Sequence, residues 1–141
     1  MSRRPVPSNQ RSQFLSQPFR LIHLGMRPRW SGLTVDCVDP DRLAAFWGAL
    51  LDRDLEPGLP GWVQLKSRDD QPRINFQPVA EPKCGKVRIH LDITVDDVDQ
   101  AIERVLELGG HDTGERHEYP EGTVVVLQDP EGNEFCLVRY Q

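Results

Sequence analysis

The chain has 141 residues, 38% hydrophobic and 28% charged, a balance that suits one soluble globular domain and is too polar for a membrane, disordered or collagen-like class. No apolar run approaches the roughly 20 residues needed to span a bilayer. Residues 1–29 carry six arginines and no acid, so removing that +6 from the formal −5 leaves −11 for residues 30–141, which repels phosphate backbones and argues against nucleic acid as a partner of the folded part.

The N-terminal stretch, rich in Arg, Ser, Gln and Pro, reads as a disordered or weakly ordered basic tail over residues 1–29, with a transit-like segment as the other reading. Apolar residues between Phe14 and Leu24 are interrupted by Pro18 and form no signal peptide, and a product starting at Met26 would keep everything the domain needs. Three cysteines, Cys37, Cys84 and Cys136, stand in no CxxC spacing, so neither a disulfide scaffold nor a zinc ribbon is expected and the compartment reads as a reducing cytoplasm.

Leu33–Cys37 alternates apolar and polar residues, the period of a strand with one buried face. Asp39 then caps a helix with Pro40 at its first position, and Leu43, Phe46, Trp47, Leu50 and Leu51 recur at the spacing of one apolar stripe. The turn-rich Glu56–Gly61 leads to strands at Trp62–Leu65 and Arg73–Gln77. A second pass opens with a strand over Ile89–Val95. Asp96 caps the next helix, whose inner stripe is Val98, Ala101, Ile102, Val105 and Leu108 and which Gly109-Gly110 ends. Strands follow at Thr123–Leu127 and Glu134–Tyr140, joined by the turn Asp129-Pro130-Glu131-Gly132-Asn133. Leu33, Val35 and Cys37 correspond to Leu91, Ile93 and Val95 at an offset of 58, and Phe76-Gln77 to Phe135-Cys136, so the halves repeat one unit that cannot bury its sheet alone.

Val35-Asp36-Cys37-Val38-Asp39-Pro40 running into Phe46-Trp47, the run His90–Asp96, and Asp129–Phe135 together resemble the glyoxalase, bleomycin-resistance and extradiol-dioxygenase group, the vicinal oxygen chelate superfamily, in its glyoxalase-like branch. The resemblance covers Leu33 to Tyr140 and implies an α+β fold: two βαβββ modules, about 31–80 and 87–141 within a domain 30–141, forming one cupped mixed sheet with helices on the convex face. Thr34, Asp36, His90, Asp92 and Thr94 would then line a polar concave cavity, because strand side chains alternate faces. Pairing of two such chains into a homodimer is also implied.

Metal-dependent relatives draw four His or Glu ligands from the first and last strands of each module. Carried onto this chain, those positions fall on Gly32 or Leu33, Gln77, His90 and Cys136, which leaves His90, Gln77 and Cys136 as the only side chains for an ion. A catalytic divalent site needs about three protein ligands of suitable charge or softness, and a neutral amide is a poor one. No resident metal is therefore expected, and a metal-dependent lyase, isomerase or dioxygenase stands as the alternative.

The expected ligand-binding set is Thr34, Asp36, Trp62, Asn75, Gln77, His90 and Cys136, and the expected proton-transfer set is His90, Asp92 and Glu134. An imidazole titrates near neutrality and a carboxylate on the same face would stabilise its charged form, although same-face neighbours on one strand stand about 7 Å apart. Asp36 or Glu134, enclosed, would have a raised pKa and act as base, unless paired with Arg73 or Arg88. Cys136 reads as a small buried group, with nucleophile the other reading. Trp47 reads as core, with stacking on a ligand the other reading, Trp62 stays open between stacking and packing, and His111 and His117 fall in a loop or edge region.

Overall fold

The computed structural model describes residues 27–141; the expectations for the basic tail up to residue 26, and for a start at Met26, lie outside the described residues. The first module runs β1 (Gly32–Cys37), α1 (Pro40–Leu51), β2 (Leu55–Pro57), β3 (Val63–Leu65) and β4 (Arg73–Pro78). The second runs β5 (Asp92–Thr94), α2 (Val98–Glu107), β6 (His111–Tyr119), β7 (Gly122–Gln128) and β8 (Glu134–Tyr140). Each forms a four-stranded mixed sheet, ordered β1-β4-β3-β2 and β5-β8-β7-β6, in which the first strand is parallel to the last and the other pairings are antiparallel. This is the expected pair of βαβββ modules. No pairing joins β1 to β5 among the described residues, so the two sheets meet along free edges.

Local chemistry explains the elements. The Asp39 side chain accepts the Arg42 N–H at 3.1 Å and Pro40 occupies the first turn of α1, which packs on β3 and β4 and buries Leu43, Ala44, Phe46 and Trp47. Asp97 caps α2 by accepting the Gln100 N–H at 3.0 Å, one residue later than the expected Asp96. Gly109 ends α2 with a φ of +94°; Gly110 instead serves close packing, since a Cβ there would lie 2.7 Å from the Gln128 carbonyl oxygen and 3.0 Å from Phe46.

Three further departures have physical reasons. Sequence patterning left β2 as turn because it is three residues long and ends in proline, which a sheet tolerates at an edge. The nine residues of β6 are all exposed, so no alternation marks them, and they place His111 and His117 on a strand. The strand expected over Ile89–Val95 shrinks to Asp92–Thr94, leaving Val87–Leu91 as irregular chain held to β8 by the Cys136 N–H to Leu91 carbonyl bond at 3.0 Å.

One hydrophobic core spans both modules. Phe46 and Trp47 from α1 meet Phe135 from β8 edge-on, with ring centroids 6.1 and 4.8 Å apart. Polar bonds from the turn 129–133 reinforce that contact. Asp129, 1% exposed, accepts the Trp47 indole N–H at 3.1 Å, and Glu131 accepts the N–H groups of Val38 and Asp39, just ahead of α1, at 2.7 and 3.0 Å. Replacing Glu131 by alanine strips both acceptors, so Glu131→Ala should destabilise the fold by about 1 kcal/mol and lower Tm by about 4 °C. A thermal melt indistinguishable from wild type would show the contact to be idle.

Candidate functional site

A cavity of about 290 Å³ occupies the seam between the modules. β1 contributes Leu33 and Val35 from its core-facing side and Thr34 and Asp36 from the other, because the cavity wraps around its unpaired edge. Across the seam stand Val87, Ile89, His90 and Leu91; Trp47, Ile74, Phe76 and Phe135 close it towards the core, and Asp129, Asn133 and Glu134 complete the wall. The expected polar hollow is thus corrected to an apolar chamber with a few polar groups. Binary patterning assigns one face per residue, whereas a free strand edge exposes both.

Of the residues singled out from sequence, Thr34, Asp36, His90 and Glu134 line this cavity. Asp92, Asn75, Gln77 and Cys136 do not. Trp62 lies elsewhere, in a shallow depression with Leu55, Glu56, Pro57 and Val63. Asp129 and Asn133 were overlooked as lining residues, and Trp47, read first as core and second as a ligand-stacking ring, is both buried and on the wall; the turn motif was visible, but nothing in its spacing signals that its first residue is buried.

His90 and Asp92 are in contact, with Nδ1 3.2 Å from a carboxylate oxygen. This corrects the expected separation, which assumed regular strand geometry at His90; the irregular chain before β5 lets the two side chains converge. Cys136 Sγ lies beside them, and the three potential ligand atoms fall within 4.8 Å of one another. Burial, then the neighbouring Asp92 charge, pushes the Cys136 thiol up, so it behaves as a small protonated group and is a poor nucleophile. Cys37, deeply buried beside several carboxylates, is pushed up to about 12.

Glu134 departs from the role of a base with raised pKa. Desolvation works to raise its carboxyl, but the Val87 N–H at 3.1 Å and Lys83 Nζ at 3.2 Å outweigh it and hold the group below the usual range. Its cation is Lys83, where Arg73 or Arg88 had been expected. Asp36 stands exposed on the wall with no ion-pair partner among the described residues. Asp129 accepts from Trp47, the Glu131 N–H, and both the backbone and side-chain N–H groups of Asn133; burial nonetheless raises its carboxyl above the ordinary value.

Residues 32–138 match the family model described as a glyoxalase-like domain. The chain belongs to this family. A glyoxalase/bleomycin resistance protein/dioxygenase family enzyme from Burkholderia phytofirmans superposes with a TM-score of 0.66 at 19% identity, covering 79% of this chain and 98% of that one. A genomically encoded fosfomycin resistance protein from Listeria monocytogenes gives 0.66 at 17%, covering 82% and 96%, and a lactoylglutathione lyase from Agrobacterium tumefaciens gives 0.55 at 20%, covering 80% and 94%. No curated protein sequence matches the chain.

The metal implied by resemblance requires donors from both modules of a glyoxalase-like fold. With β1 and β5 equated at the offset of 58, Thr34 opposite Asn75 corresponds to Asp92 opposite Cys136. The first-module counterpart of Cys136 is therefore Asn75 and not Gln77, and the counterparts of His90, Asp92 and Cys136 are Gly32, Thr34 and Asn75. Gly32 offers no side chain, and the Thr34 hydroxyl and Asn75 amide, bonded to each other at 3.2 Å, are poor neutral ligands. The second module alone offers donor types that zinc accepts, but the two-module set is absent, and no chemical step is derived through a metal.

The Glu134 carboxyl loses its proton more readily folded than unfolded, so it stabilises the fold above the unfolded carboxylate pKa, and that contribution fades as pH falls through the lowered folded value. Glu134→Gln should accordingly be less stable than wild type in urea at about pH 7, with the gap closing by about pH 2. A gap that persists unchanged into acid would contradict the ion-pair assignment.

Proposed function

We propose that this glyoxalase-like chain binds a small molecule in the seam cavity without a metal, and either holds it or moves a proton on it. The observation that carries this reading is a largely apolar chamber of about 290 Å³ with His90, in contact with Asp92, on its wall. That volume lies at the lower end of the range for small-molecule sites, and apolar walls with a few convergent polar groups are their usual lining. An imidazole oriented by a carboxylate can accept a proton from a bound molecule and return it. The fully exposed edge β6 supports pairing of two copies, which sedimentation velocity would read directly.

The alternative is a metal-dependent lyase, isomerase or dioxygenase, favoured by the convergence of His90, Asp92 and Cys136. Metal analysis separates the two readings. Protein purified after growth with zinc, iron and manganese should carry only substoichiometric metal; a full equivalent that disappears in His90→Ala would establish the alternative. For the cavity itself, fragments screened by NMR should shift the Trp47 indole N–H, and Leu33→Trp, which fills the chamber, should abolish those shifts while leaving the spectrum folded. Hits that survive Leu33→Trp would place binding elsewhere.

A further inference from the structure

We infer that the seam cavity selects a small molecule with an apolar, preferably aromatic, body and a cationic amine head, and disfavours ligands bearing carboxylate or phosphate. The inference rests on the cavity being the binding site and names the class of its ligand. It is carried by the sign of the charges around the chamber.

No lysine or arginine lines the cavity among the described residues. Its acids are Asp36, Asp129 and Glu134, of which Glu134 alone has a cation beside it, Lys83 at 3.2 Å. Asp36, exposed and without an ion-pair partner among the described residues, is thus the free counter-charge for a ligand. Asp129 already has its oxygens engaged by N–H donors from Trp47 and from its own turn, so the selection falls on Asp36. The N–H groups of Val38 and Asp39 leading into α1, which could otherwise attract an anion, are already taken by the Glu131 carboxylate. The free edge of β1 presents N–H and C=O groups alike and favours neither sign.

The walls supply the second half of the preference. Trp47 and Phe135, 5% and 1% exposed, close the inner end of the chamber with ring centroids 4.8 Å apart, and Trp47 is fixed by its bond to Asp129, so that end is aromatic and rigid. Aromatic faces attract an organic cation through their quadrupole and bury its hydrocarbon portion as well. A volume of about 290 Å³ admits a body of single-ring size.

The test is an NMR titration of the full chain at neutral pH with three probes sharing one ring: 2-phenylethylamine, 2-phenylethanol and phenylacetate. The amine should bind about tenfold more tightly than phenylacetate, with the alcohol between them. In Asp36→Asn the amine should fall to the affinity of the alcohol, whose own binding stays unchanged. Phenylacetate binding as tightly as the amine, or an amine preference that survives Asp36→Asn, overturns the charge selection while leaving the cavity as a binding site. If no probe perturbs Leu33, Trp47 or His90, the cavity reading itself fails and the inference with it.

Discussion

The buried carboxylate of Asp129 is the constraint on which this fold turns. It belongs to the hairpin of the second module, yet it accepts the indole N–H of Trp47 on the helix of the first, while orienting its own turn through Glu131 and Asn133. A carboxylate taken out of water is unfavourable unless its oxygens are satisfied, and here uncharged N–H groups satisfy them. The turn therefore both closes its own hairpin and anchors α1, through Asp129 to Trp47 and through Glu131 to Val38 and Asp39. Because β1 and β5 share no ladder, the modules are joined by this polar clasp and by the aromatic contact beneath it.

The cavity follows from the same arrangement. Two sheets that meet without pairing leave a gap along their edges, and the clasp fixes how wide that gap is by holding Trp47 and Phe135 together at its inner end. In the proposed binding site, local charge would decide what enters. Acids gather on the wall because the hairpin needs Asp129 for its geometry and β1 carries Asp36 on its free face, whereas Lys83 is spent on Glu134. Structural and recognition roles thus share residues, which ties the stability of the clasp to the shape of the site.

Much of this was legible in the sequence, and what was hidden was hidden for identifiable reasons. Alternation exposed β1, β3, β4 and β8, the apolar run beside the Asp129–Asn133 turn exposed β7, and capping chemistry marked both helices, since each rests on a local rule. Edge elements escaped: β2 is too short, and β6 has no buried face to create a pattern. Period two also cannot register a slip of two residues, which keeps every side chain on its face; this is why Gln77 stood in for Asn75 as the partner of Cys136 in the repeat. The site suffered most, because which strand edge remains unpaired is a tertiary outcome. Thr34, Asp36, His90 and Glu134 were found, while Trp47 and Asp129 read as helix stripe and turn, and the contact of His90 with Asp92 depended on irregular chain that no repeat announces.

Amide hydrogen exchange on Asp129→Ala tests the central claim most directly. If the clasp couples the modules, Val38, Asp39 and the first turns of α1 lose protection together with residues 131–133, although the substitution lies in the other module. Faster exchange confined to the turn, with α1 protected as in wild type, would contradict the account.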